Sequence, residues 1–330
     1  MVRSPGRKVT ERLRRPTLRD VAKAAGVSIW TASNTFSNPE RVADATRQGV
    51  LAAADELDFA GPNPGARSLA RGETRMIAFV APGDAELLLG DPAAALVARG
   101  LIASCDRAGL SLVLTGQPDG QLVDGRVFFR APGDEPVRGP VVVVDGAAPD
   151  GVPTVGADVR AGAAVLGRLL IDLGHRDIAL LGQPGADDRM AGAADALADL
   201  GGPLTVFRNQ SDRATWPTQA DGEAAARAAL SRTPRPTALL ALSDTLAIGA
   251  LEAAHRMGLR VPRDVSIVGL DDLPGSDARG LTTALVPYRP LGELAGDVLI
   301  ARLSGQPVPP PPLLPTSLTV RTTTGPPAST

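Results

Sequence analysis

Two groups of residues in this 330-residue chain have types and spacings that could do chemistry. The first lies in "TLRDVAKAAGVSIWTASNTFS", Thr17 to Ser37, where Ile29 and Trp30 open a short segment otherwise rich in Ala, Ser and Thr. Aromatic residues are only 3% of the chain, and a small helical core has little room for an indole. Such a Trp is read as facing a partner, and the partner expected is DNA. The second group is a set of carboxylates that end apolar runs: Asp145 after "PVVVV", Asp244 after "ALLALS", and Asp271 with Asp272 after "SIVGL". In open α/β sheets ligands bind outside the carboxyl ends of the strands, so these acids point towards one crevice.

Neither group forms a catalytic set. There is no Gly-rich phosphate loop ending in Lys-Ser/Thr, no G-x-G-x-x-G after the first apolar run, no nucleophile elbow and no metal-binding helix motif. Cys105 is alone and the two histidines, His175 and His255, are far apart in sequence, so neither an internal disulfide nor a zinc-type cluster is expected. An enzyme is not expected, nor is any cofactor or metal. Without an apolar run of signal or membrane-spanning type, a cytoplasmic protein that avoids membranes is expected. Charge is divided unevenly. Residues 1–75 hold 13 Lys/Arg against 8 Asp/Glu, which leaves 21 against 28 of the chain's 34 and 36 for the remainder. A basic head on an acidic body suits a nucleic-acid partner for the head.

The elements that must position these residues can be read locally. Thr17 followed by Asp20 is a capping-box start, and Leu18, Val21, Ala22 and Ala25 recur at helical spacing, giving a helix over about 18–25. Gly26 permits a tight turn, and Ser28 can cap a second helix over roughly 29–36. Two helices joined so closely form helix-turn-helix geometry, in which the second enters the major groove with its N-terminal residues at the base edges. Asp44 to Leu57 reads as a third helix with Val50, Leu51, Ala54 and Leu57 inward. A Pro/Gly-rich linker then ends in one or two helical turns from Pro64 to Arg71, too short to be stable alone. From Met76 onward, apolar runs such as "MIAFVAP", "PVVVVDG", "DIALLGQ" and "VSIVGLDD" alternate with Ala-rich helical stretches. That alternation predicts parallel sheets covered on both faces, followed by a Pro-rich connector over 305–315 and a last strand near Ser317 to Arg321.

"TLRDVAKAAGVSIWTASNTF", "TRQGVLAAADELDF" and "PNPGARSL" together resemble the head of the LacI/GalR family of bacterial transcriptional regulators. "LGHRDIALLG", "RMAG", "SDTLAIGALEAAHRMGLRVPRDVSIVGLDD" and "LTTALVPYRPLGELA" resemble its periplasmic-binding-protein-like core, so the likeness spans nearly all of 17–324. The resemblance implies an α/β protein with an all-α helix-turn-helix head, a hinge helix and a body of two subdomains joined by three crossovers. Its expected divisions are a flexible basic arm (1–16), the DNA-binding head (17–62), the hinge helix and linker (63–74) and the effector-binding body (75–330). Within the body, one subdomain would take about 75–173 and 286–314, the other about 174–285 and 315–325.

By position, Ile29, Trp30 and Asn34 would read bases, with Thr17, Leu18, Ser28, Thr31 and Ser33 beside them on the DNA. Leu69 would wedge between central base pairs while Arg67 neutralises phosphate. Asp145, Arg189, Asp244 and Asp271 would contact the effector, with Trp216 and Tyr288 as walls. Carboxylates and a forked guanidinium suit paired hydroxyls, and an aromatic face suits a sugar ring. The resemblance thus implies a regulator, usually a repressor, binding a near-palindromic double-stranded operator as a homodimer and answering to a sugar or sugar derivative. A non-sugar metabolite such as a purine, and a solute-binding protein of the same body fold, stay open as alternatives. No heptad pattern follows the last strand, so a tail-mediated tetramer is not expected.

Overall fold

A computed structural model describes residues 16–59, 61, 73–81, 85–117, 122–130, 139–182, 187–200, 205–208 and 217–328. The expected hinge helix with Arg67 and Leu69, nearly all of the basic arm, and Trp216 lie outside the described residues. The chain divides into two compact units, Met1–Thr74 and Arg75–Thr330.

The head consists of α1 (Leu18–Ala24), α2 (Ile29–Ser37), a 3-10 turn (Pro39–Arg41) and α3 (Asp44–Glu56). Its helices start where capping chemistry starts them. The Thr17 amide donates to Asp20 Oδ2 at 2.9 Å while Thr17 Oγ1 accepts from the Asp20 amide, a reciprocal capping box. Ser28 Oγ accepts from the Thr31 amide at 3.0 Å. Gly26 takes φ 66°, the left-handed conformation the turn requires. Val21, Ala22, Ala32, Val50, Ala53 and Ala54 form the core, and Phe36 and Phe59 meet edge to face nearby at 5.8 Å. Leu51, expected inward, is exposed. The buried stripe of α3 runs through Val50, Ala53 and Ala54, and Leu51 lies one residue, about 100°, off it.

The body holds two sheets. In the first, β1 (Met76–Val80), β2 (Ser111–Thr115), β3 (Gly125–Phe129), β4 (Val141–Val144) and β5 (Thr154–Val155) lie in the order β2-β1-β3-β4-β5, all parallel. Helices α4 (Ala85–Gly90) and α5 (Pro92–Ala108) follow β1, and α6 (Val159–Asp172) follows β5. The second sheet comprises β6 (Ile178–Gly182), β7 (Thr205–Arg208), β8 (Ala238–Ala241), β9 (Ser266–Asp271), β10 (Thr282–Leu285) and β11 (Ser317–Thr319). Their order is β11-β10-β9-β8-β6-β7. Its pairs are parallel except β10–β11, because β11 enters from the opposite end after the Pro-rich connector. Between these strands lie α7 (Asp187–Leu197), α8 (Gln219–Leu230) and α9 (Asp244–Arg256); α10 (Tyr288–Leu303) follows β10.

The chain passes between the sheets three times: before α6, after β10 and before β11. Two passages run side by side, the Asp158 amide donating to Leu314 O and the Leu314 amide to Gly156 O, each at 2.9 Å. Helix α6, assigned by sequence to the first subdomain up to residue 173, belongs with the second. Its buried Ala163, Leu166 and Leu170 lie on a helix that packs against α7 and β8 to β11. The first crossover therefore falls at Ala157–Asp158.

Helices α5 and α10 approach backbone to backbone, since a Cβ on Gly100 would sit 2.1 Å from Arg289 O. A Cβ on Gly192 of α7 would sit 2.0 Å from Arg160 O on α6, so glycine there seats the helix that carries Arg189.

Candidate functional site

The first site is the N-terminal turn of α2. Capped by Ser28, it exposes Ile29 (46%) and Trp30 (67%) on the head surface, with Thr31 and Ser33 half-buried beside them. Thr17 and Leu18 are half-buried at the start of α1; the Thr17 hydroxyl donates to Asp20 Oδ2 at 2.7 Å, and Leu18 packs on the head core. Asn34 departs from expectation. It is 7% exposed, its Nδ2 donates to Trp30 O at 3.1 Å, and its Oδ1 accepts from Asn38 Nδ2 at 3.1 Å. Both ends of the amide are used within the helix and its cap, so Asn34 braces the C-terminal end of α2 in this structure.

The second site is built where strands of both sheets end. Asp271, the last residue of β9, takes φ 140°, and Asp145, just past β4, takes φ 54°. Left-handed backbone at non-glycine residues is strained and persists where surroundings hold it. Arg189, in the first turn of α7 and 7% exposed, holds Asp271: its Nη1 donates to Asp271 Oδ1 at 2.8 Å and to Leu242 O at 2.9 Å. Arg189 Nη2 donates to the Tyr288 hydroxyl at 2.9 Å, which in turn donates to Asp271 Oδ1 at 2.7 Å. Burial opposes the Arg189 charge, but Asp271, Tyr288 and Asp145 outweigh it and hold the guanidinium well above its ordinary value. Burial likewise pushes the phenol of Tyr288 up, so it stays a donor.

Asp145 faces this triad from the first sheet, acting electrostatically on Arg189, Asp271 and Tyr288, and its Oδ2 lies 3.6 Å from Arg130 Nε. Two residues that sequence reasoning passed over join the cluster. Asp91 caps α5, accepting from the amides of Ala93 at 2.7 Å and Ala94 at 3.0 Å. Burial pushes its carboxyl up, against the pull of Arg130, and it also feels Asp271. Arg130 ends the β3 run, with its guanidinium 5.2 Å from the Phe129 ring centroid. The strand-end rule that found Asp145 would have found Arg130, and "DP" before an Ala-rich helix marks Asp91 as a cap. Asp91, Arg130 and Asp145 thus come from the first subdomain, Arg189 and Asp271 from the second, and Tyr288 from the second crossover.

Asp244, expected among the effector contacts, is 0% exposed and fully engaged. Its Oδ2 accepts from the Leu273 amide at 2.9 Å and Ser276 Oγ at 2.5 Å, and its Oδ1 accepts from Thr283 Oγ1 at 2.5 Å. Burial, then the nearby Asp271 charge, pushes its carboxyl up to about 6. It ties the loop after β9 to β10 and the start of α9.

A recess of about 550 Å³ elsewhere, on α8 and α9, shares no residue with this cluster. Within it Arg256 pairs with two carboxylates, 2.7 Å from Glu223 and 2.9 Å from Glu252, and Arg279 donates to Gly275 O at 3.0 Å. Among the described residues, no group of three or more His, Cys, Asp or Glu side chains could hold a metal, and no helix is long and apolar enough to cross a membrane.

With this geometry in hand, likeness to known proteins is specific. Residues 17–63 match the model of bacterial regulatory proteins of the lacI family, and residues 168–324 match a periplasmic binding protein-like domain. An HTH-type transcriptional regulator of Mycobacterium tuberculosis is 33% identical, over 96% of this chain and 98% of that protein. The HTH-type transcriptional repressor PurR of Salmonella paratyphi B is 32% identical, over 87% and 90% respectively. Among solved structures, the lac repressor dimer bound to operator and the anti-inducer ONPF is 28% identical with a TM-score of 0.78, covering 94% of this chain and all of that one. The complex of the transcriptional regulator CelR with cellobiose is also 28% identical, with a TM-score of 0.65, covering 94% of this chain and 100% of that one. The exposed turn of a helix-turn-helix head, a two-sheet body with a polar cluster between its sheets and these likenesses agree: the chain belongs to the lacI family of bacterial DNA-binding transcriptional regulators.

Proposed function

We propose that this regulator binds a near-palindromic operator as a homodimer, setting Ile29 and Trp30 of α2 against base pairs in each half-site. A small polar molecule, a sugar or sugar derivative, held among Asp145, Arg189, Asp271 and Tyr288 changes that affinity. The observation that carries the reading is that the cluster draws charged groups from both subdomains, Asp91, Arg130 and Asp145 from one and Arg189 and Asp271 from the other. A ligand touching both sides favours one disposition of the two sheets, and such differential affinity is what moves a two-state equilibrium. Cellobiose in the CelR complex supports a sugar as the ligand class.

Ile29 and Trp30 suit thymine methyls and sugar edges, while the α1 and α2 N-termini offer free amides to phosphates. Arg67 and Leu69 keep their proposed roles at the operator centre, as phosphate contact and apolar wedge. The head and body perform regulation by binding, with the chemistry of catalysis left to other proteins, and the regulator acts in the cytoplasm.

A mobility-shift titration on the intergenic DNA beside its own coding region tests this. Binding should be specific, should respond to sugars added in turn, and should weaken in Leu69→Ala. Equal affinity for every duplex regardless of base order would reject the reading.

A further inference from the structure

We infer that Asp124 is a positioning residue for operator binding: its carboxylate holds the backbone of Arg75 in the left-handed conformation with which the body begins, and so fixes the direction in which the chain leaves β1 towards the hinge segment. This rests on operator binding by the head and is independent of what the Arg189–Asp271–Tyr288 cluster holds.

Arg75 is the first residue of the body unit and immediately precedes β1. Its φ of 56° is unfavourable for any residue with a Cβ, and Arg lacks the short polar side chain by which Asn and Asp tolerate that region. The side chain is exposed, so burial does not impose the conformation. Bonds from the starts of two other strands do. The Arg75 amide donates to Asp124 Oδ2 at 2.7 Å, one residue before β3. The Asp124 amide donates to Met76 O at 2.8 Å, and the Ser111 amide at the start of β2 donates to Arg75 O at 2.9 Å. A short bond from an amide to a carboxylate is roughly twice as strong as a neutral one, and strained backbone persists only where its surroundings hold it.

Asp124 is itself firmly seated. Val123 packs against the apolar cluster around Phe128 and Val143, and Gly125 lies so close beneath α10 that a Cβ there would sit 2.9 Å from Leu299 Cδ1. The Arg75 guanidinium lies over Gly109, whose φ of 63° ends α5, where helix carbonyls favour a cation. Arg75 is thus clamped to the starts of β2 and β3 and to the end of α5. The opposite end of α5, 17 residues and about 25 Å away, carries Asp91, so a substitution at Asp124 alters the exit of the chain without touching the polar cluster. Freed from the carboxylate, Arg75 relaxes to the extended region and the residues before it leave β1 in another direction. Two subunits that must place their heads on one near-palindromic site then lose a preset exit, and ordering it on the operator weakens specific binding.

The test titrates the full-length protein by mobility shift against the intergenic DNA beside its own coding region and against an unrelated duplex of equal length. Asp124→Ala should weaken operator binding about 10-fold, the scale of one hydrogen bond to a charged group, and leave affinity for the unrelated duplex unchanged. Arg75→Val and Arg75→Gly remove the same charge but differ in the backbone they allow, since a β-branched residue resists the left-handed region that glycine enters freely. Arg75→Val should reproduce the loss with Asp124 intact, whereas Arg75→Gly should stay within about 3-fold of the parent, and adding Asp124→Ala to it should weaken binding by less than about 3-fold more. A carboxylate that only stabilises the body would leave Arg75→Val and Arg75→Gly alike in operator affinity while both are folded; that result, or parental binding by Asp124→Ala, overturns the inference and leaves operator binding standing. Where Asp124→Ala fails to fold, the comparison of the two Arg75 variants decides. A parent that binds both duplexes equally rejects operator binding itself, and the positioning role with it.

Discussion

The first turn of α2 and the Arg189–Asp271–Tyr288 cluster prepare for binding in opposite ways. On α2, Ile29 and Trp30 stand out in solvent and contribute little to holding the head together. In the body, Arg189, Asp271 and Tyr288 are already bonded to one another and nearly buried. The exposed pair thus lies on a surface that can change without unfolding its support. The cluster is instead part of the packing, where Arg189 also holds the strained end of β9 at Asp271. Changes in the first region should separate binding from stability, and changes in the second should couple them.

The largest effect should follow Arg189→Ala. Removing the guanidinium leaves Asp271 charged and buried without its partner and orphans Leu242 O, so the body should lose about 3–5 kcal/mol in urea denaturation. Any response to effector should vanish with it. A stability that stays unchanged while the effector response is lost would contradict the coupling of binding and stability in the body.

Asp244 gives the next effect, read through pH. Its carboxyl stands at about 6 in the folded body against a usual value of 3.8, so the folded state holds that proton more tightly than the unfolded chain does. Stability from this group rises as pH falls from above 6 towards 4, by ~3 kcal/mol for a difference of about two pH units. Ser276 and Thr283 hydroxyls can turn from donor to acceptor when the carboxyl gains its proton. Asp244→Asn should therefore reduce the slope while equalling or exceeding the parent's stability at pH 8, the remainder belonging to Asp91 and Asp271, whose carboxyls burial also pushes up; an unchanged slope would assign it wholly to those groups.

Trp30→Ala should leave head stability within ~0.5 kcal/mol, as expected for an exposed side chain away from the core. Operator affinity should fall by about 10- to 100-fold, the range of a lost specific contact. Equal affinity would remove Trp30 from the interface. The smallest effect belongs to Asn34→Ala, which deletes the bonds to Trp30 O and Asn38 and should lower head stability by about 1 kcal/mol. Selection of operators from a randomised pool should return the same bases as the parent; a changed base would restore Asn34 as a reader.

Much of this was legible before any coordinates. Thr17 with Asp20, and Ser28 before α2, start helices through bonds spanning three residues, so local order suffices to find them. Apolar runs of strand length placed the sheets, and strand-end acids led to Asp145 and Asp271. The same logic places Asp244 at the crevice but does not show that it is engaged, because its partners Ser276 and Thr283 lie 32 and 39 residues away. A motif position does not reveal that the Asn34 side chain turns back along its own helix to Trp30 O.

The amino-acid order by itself determined the helix starts, the alternation of strand and helix, the head-and-body division and the family, since each depends on neighbours along the chain or on a long ordered motif. Tertiary structure alone decided that α6 packs on the second sheet, that Asp91 and Arg130 complete the cluster, and that Asp244 is engaged on both oxygens. Burial and charge pairing depend on which distant segments return to the same place, and in a low-dielectric interior that proximity sets whether a carboxylate is a contact or a strut.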